Sequence, residues 1–134
     1  MEVGNIVTSS VRTSLTPWLL VRGSARALEF YKKAFGAVEV YHLDVPGGVV
    51  ARLSIDGAEF WLSEESPEHF NFSPETLNGA TVRLILGVAD PDAVFARLLE
   101  AGCSQVYPVS EEHGWRVGRV VDPFGYHWEI AREL

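Results

Sequence analysis

One cysteine in 134 residues, Cys103, excludes any disulfide within the chain and with it the disulfide-stapled scaffolds of small secreted proteins. Cys103 follows Ala101-Gly102 with no histidine beside it, so it reads as a small structural residue, not a thiolate nucleophile. Basic residues are also scarce. Eleven Lys and Arg against 18 Asp and Glu leave a net charge of −7 and a pI near 5.0. The densest basic patch, Arg22, Arg26, Lys32 and Lys33, lies along a predicted helix and is interrupted by Glu29. Without a basic stripe to displace counterions from phosphates, nucleic acid is not an expected partner. No run approaches the roughly 20 apolar residues of a membrane-spanning helix, so no membrane partner is expected either. Met1 to Asn5 offers neither the basic nor the apolar region of a secretion signal, and the expected location is cytoplasmic.

What is present is ordinary globular material, 47% hydrophobic and 22% charged. Its organisation emerges when one half of the chain is laid on the other. The first half runs Leu19-Leu20-Val21, then a predicted helix over Ala25–Phe35, then Gly36. The second runs Leu84 to Val88, then a predicted helix over Pro91–Ala101, then Gly102. Ala27, Leu28, Tyr31, Ala34 and Phe35 recur at helical spacing, as do Val94, Phe95, Leu98 and Leu99. Asp90-Pro91 supplies an N-cap and a first-turn proline, Ser24 is the expected cap of the first helix, and the glycines suit left-handed C-caps. Three strand-like runs follow each helix: Val38–Leu43, Val49–Ile55 and Ala58–Ser63, then Ser104–Val109, Arg116–Val121 and Tyr126–Ala131. Asp56-Gly57 is a two-residue hairpin signal, and Asp122-Pro123-Phe124-Gly125 reads as a type I turn.

The fold class is therefore α+β, with βαβββ modules over 15–63 and 81–134. Residues 1–14 form a tail or, through Ile6-Val7, an edge strand, and 64–80 a linker or flap without a clear element. In that linker His69, Phe70 and Phe72 are placed to close over a ligand.

The run Ala27-Leu28-Glu29-Phe30-Tyr31-Lys32-Lys33-Ala34-Phe35-Gly36 resembles the first-helix signature of the vicinal-oxygen-chelate (glyoxalase/bleomycin-resistance) superfamily, in its PhnB-like or glyoxalase-like branch. Gly114 to Trp128 is similar to that branch's C-terminal hairpin. The resemblance spans about Leu15 to Leu134 and implies curved mixed sheets around a cavity, with helices on the outer face. Metal-dependent members hold an ion from the first and last strand of each module. Those places fall on Thr16, Trp61, Arg83 and Glu129, of which only the glutamate is a good ligand for a divalent ion. No metal or other cofactor is expected.

Strand alternation points Thr16, Trp18, Glu59, Trp61, Arg83, His127 and Glu129 to the cavity side, while Val82, Leu84, Phe60, Leu62, Trp128 and Ile130 pack. Arg116, part of the hairpin signature, belongs at the rim. The indoles suit stacking on a planar ligand. Arg83 suits Glu129, as an ion pair across the modules, or an anionic ligand. The expected function is metal-free binding of a planar or anionic small molecule by a homodimer. Two alternatives stay open: a metal-independent enzyme with Glu129 or His127 as base, and a metalloenzyme with other ligands, such as His127, Glu129, Glu59 and His69.

Overall fold

The computed structural model describes residues 11–134. The expected edge strand at Ile6-Val7 lies outside them, and residues 11–17 carry no regular structure. The first module comprises β1 (Trp18–Val21), α1 (Ser24–Phe35), β2 (Val38–Val45), β3 (Gly48–Ile55) and β4 (Ala58–Glu64). After α2 (Pro74–Leu77), the second comprises β5 (Arg83–Gly87), α3 (Pro91–Ala101), β6 (Ser104–Glu112), β7 (Trp115–Val121) and β8 (His127–Glu133). Each module forms a four-stranded mixed sheet, ordered β1-β4-β3-β2 and β5-β8-β7-β6. The first strand runs parallel to the last, and the remaining pairs are antiparallel. The α+β class and the module repeat are as the sequence predicts. Among the described residues no helix is long and apolar enough to cross a membrane.

Local chemistry sets the boundaries. Asp56 and Gly57 both take positive φ, 52° and 95°, which the twist of a two-residue hairpin requires. Asp90 caps α3 by accepting the Ala93 N–H at 3.2 Å. The start of α1 differs from expectation. Ser24 is inside the helix, and its hydroxyl accepts the Val49 N–H at 3.0 Å instead of capping. Glu64, at the end of β4, takes over that role. Its two carboxylate oxygens accept the N–H groups of Gly23 (2.9 Å) and Ser24 (2.8 Å), placing negative charge at the positive end of α1. The linker also differs, since it holds a short 3₁₀ turn (Pro67–His69), α2 and an isolated bridge between Ser66 and Asn71.

One core joins the modules, with α1 at its centre. Tyr31 is fully buried, with its ring 5.4 Å from Phe60 of its own sheet and about as close to Phe124 (6.0 Å) and Trp128 (6.1 Å) of the other module. Its hydroxyl donates to Asp122 at 2.5 Å. Asp122 also accepts Trp128 Nε1–H (2.9 Å) and the backbone N–H groups of Phe124 (2.8 Å) and Tyr126 (3.1 Å). Burial is the largest influence on this carboxyl and raises its pKa, against the downward pull of the donors. A second link comes from Tyr126, whose hydroxyl donates to the Leu20 carbonyl and accepts the Leu20 N–H, both at 2.8 Å. With the helix-side faces buried in this core, the two other sheet faces point away from it.

Asp122→Ala strips four donors of their buried acceptor and should lower stability by about 3 kcal/mol or more in urea denaturation. Tyr31→Phe should cost only about 1 kcal/mol. At Glu64, burial acts upward but the Gly23 and Ser24 N–H groups outweigh it, so the folded pKa lies below the ordinary 4.5. A depressed carboxylate stabilises the fold above the unfolded pKa, and that contribution disappears as pH falls through the folded value. Glu64→Gln should therefore cost about 1 kcal/mol at pH 7, with the gap to wild type closing in acid titrations.

Candidate ligand-binding site

On the outward face of the first sheet, register sets side chains in a row: Tyr41 opposite Arg52, Arg52 opposite Trp61, and Trp61 opposite Trp18. The indoles of Trp18 and Trp61 stack with centroids 5.0 Å apart and planes 9° from parallel. Trp18 is fixed by its Nε1–H, which donates to Ser63 Oγ at 2.8 Å, yet is 49% exposed. Tyr41 meets Trp61 edge-on at 5.8 Å. The Arg52 guanidinium lies 5.4 Å from the Trp61 ring, with its Nε 3.3 Å from Glu59 Oε1. This is a flat aromatic surface with a cation along its margin.

The second sheet repeats the row with different chemistry. Tyr107 lies opposite Arg119, Arg119 opposite Glu129, and Glu129 opposite Ile85. Even the register irregularity one residue before each tyrosine recurs, between Glu39 and Tyr41 and between Gln105 and Tyr107. Arg83 Nη1 lies 3.3 Å from Glu129 Oε2. That ion pair joins neighbouring strands of one sheet and does not cross the modules as the sequence suggested. Arg119 Nε–H donates to His127 Nδ1 at 3.1 Å. Burial chiefly, and the Arg119 charge beside it, lower the His127 pKa. Tyr107, Ser110, Glu112, Arg119 and Glu129 share a shallow hollow of about 350 Å³ on this face.

Of the residues singled out from sequence, Trp18, Glu59 and Trp61 come together on the first face, and Arg83, His127 and Glu129 on the second. Among the described residues the two groups lie on separate sheets and share no closed cavity. Thr16 precedes β1 and lines a cleft of about 540 Å³ that adjoins the first face at Trp18, with Leu15, Phe72, Leu77 and Val82 among its walls and no charged side chain among the described residues. Val82, expected in the core, is exposed there. Arg116 is on the helix side of β7. Its Nε and Nη2 both donate to Asp92 of α3, each at 2.8 Å, so it belongs to neither outward face. The orientation is fixed by Gly118, two residues on, where an added Cβ would come within 2.7 Å of Phe95 in α3. Arg52, Arg119, Tyr41 and Tyr107 were missed. Extending the overlay of the two halves to their middle strands would have found them.

Among the described residues no three His, Cys, Asp or Glu side chains gather closely enough to share a metal ion. Of Thr16, Trp61, Arg83 and Glu129, only Glu129 offers a strong oxygen donor, and Arg83 engages it. The residues present do not fit a bound divalent metal.

A family model described as a glyoxalase-like domain matches residues 19–131. An uncharacterized protein of Mycobacterium tuberculosis is 36% identical over 139 residues, covering 99% of this chain and 82% of that one. The X-ray structure of an Arabidopsis thaliana gene product superimposes with a TM-score of 0.71 at 34% identity, over 91% of this chain and all of that one. An antibiotic binding protein from a Streptomyces species shares the fold, with a TM-score of 0.66 at 22% identity over 92% of this chain and 99% of its own. With a family model that spans residues 19–131 and relatives more than 30% identical, the chain belongs to the glyoxalase-like domain family.

Proposed function

We propose that this is a small-molecule-binding protein that holds a planar ligand against the Trp18–Trp61 stack, and that a second copy closes the site with its second-sheet face. The observation that carries the reading is the parallel indole pair on an outward sheet face, with Trp18 half exposed among the described residues. Aromatic surface of this kind is costly to leave in water and marks a ligand or protein contact. The second face is similarly open, with Ile85 63% and Tyr107 60% exposed. Each chain thus presents one aromatic and one charged face, and a twofold pairing would set one against the other twice. A structural neighbour named as an antibiotic binding protein accords with this role.

The catalytic alternative finds less support in the geometry. His127 accepts from Arg119 at the nitrogen that would have to take a proton, and Glu129 is held by Arg83. The first-helix signature suits a PhnB-like or glyoxalase-like branch, and the single cysteine suits a cytoplasmic protein.

Planar aromatic probes of naphthalene size should quench tryptophan fluorescence saturably. Trp18→Ala should weaken their binding about tenfold or more, which is about 1.4 kcal/mol. Sedimentation should give twice the chain mass of 14.8 kDa. Dialysis against a chelator, or addition of zinc, should leave the melting temperature unchanged, since a metal held by the native state would shift it.

A further inference from the structure

We infer that the site selects planar ligands bearing a carboxylate, and that Arg119 and His127 together recognise that group. The inference rests on the binding reading above and adds the charge of the ligand.

At the centres of the outward faces stand three cations and two carboxylates. Arg52 is matched by Glu59 and Arg83 by Glu129, each at 3.3 Å. Arg119 makes no ion pair among the described residues, although Glu129 lies opposite it in the strand register. Its Nε donates to an imidazole, which brings no negative charge to balance it, and its ring neighbour is Tyr107, 5.9 Å away. A guanidinium has five N–H donors in a fixed fork, so its terminal nitrogens remain available on this face.

His127 completes the pair of donors. Accepting at Nδ1 places the proton of its neutral ring on Nε2, making that atom a donor. The depressed pKa of this imidazole agrees with the neutral form. One unmatched positive charge with a neutral donor beside it suits a singly charged carboxylate. A doubly charged phosphate would meet Glu112 in the same hollow with only the Arg119 charge to offset it. The preference is local, for the chain as a whole carries −7 and would repel anions at a distance. The ring is then the part that the Trp18–Trp61 surface takes, and the carboxylate the part that reaches Arg119.

The test compares 2-naphthoate with its uncharged analogue 2-naphthamide, by tryptophan quenching of the full chain at constant ionic strength. The wild type should bind the acid about tenfold more tightly than the amide, as a charge-assisted contact implies. Arg119→Gln should abolish that preference while leaving the amide's affinity within about twofold, and Arg119→Lys should restore part of it. An unchanged acid-to-amide ratio in Arg119→Gln overturns the inference. So does a wild type that binds both probes equally, although ring stacking would then stand. If neither probe binds, the binding reading and this inference fall together.

Discussion

The buried carboxylate of Asp122 is the point on which the architecture turns. It gathers the Tyr31 hydroxyl from α1, the Trp128 indole from β8 and two backbone N–H groups of its own turn. A carboxylate out of water is tolerable only when its lone pairs are filled, and here they are. The consequence is geometric. The helix of the first module is bolted to the last hairpin of the second, so both sheets turn their helix-side faces to one core. Their other faces are left outward, and everything proposed about ligand binding follows from that exposure.

Those faces share a plan and differ in chemistry. Tyr41-Arg52-Trp61-Trp18 and Tyr107-Arg119-Glu129-Ile85 occupy equivalent rows, down to the irregularity that precedes each tyrosine. Where the first row places indole, the second places a carboxylate and an aliphatic chain. One face is suited to flat apolar surface and the other to charge. Joined across two copies they would offer a ligand both, which neither face offers alone. Of the four places that the family resemblance marks for an ion, Trp61 stands in the aromatic row and Arg83 and Glu129 in the charged sheet, while Thr16 precedes β1 and belongs to neither.

Much of this was legible in the residues. Helical spacing marked α1 and α3, Asp-Gly and Asp-Pro-Phe-Gly marked turns, and period-two alternation put Trp18, Trp61, Arg83 and Glu129 on the side away from the helices. What escaped was long-range or depended on register. Glu64 caps a helix that begins 40 residues earlier, and Asp122 binds a tyrosine 91 residues away, neither of which leaves a local signal. Arg116 and Arg119 are both arginines on β7, and long-range contacts tell which one faces outward: Arg119 lies opposite Glu129, while Arg116 bonds Asp92 of α3. Motif similarity drew attention to Arg116. The bulk of Phe95 behind Gly118 decides against it. Whether the cavity implied by family resemblance forms within one chain or between two copies was left open, because a single sequence does not say whether facing sheets come from the same copy.

Mixing two damaged variants tests most directly whether the facing sheets of one site come from two copies. Trp18→Ala removes the aromatic half and Arg119→Gln the cationic half, so each alone should bind 2-naphthoate weakly. If the halves meet across copies, co-refolding the two in equal amounts produces mixed dimers with one intact site and one doubly damaged site. Random assortment then restores wild-type affinity at about a quarter of all sites. If each site instead lies within one chain, the mixture will bind no better than the separate variants, and the account is contradicted.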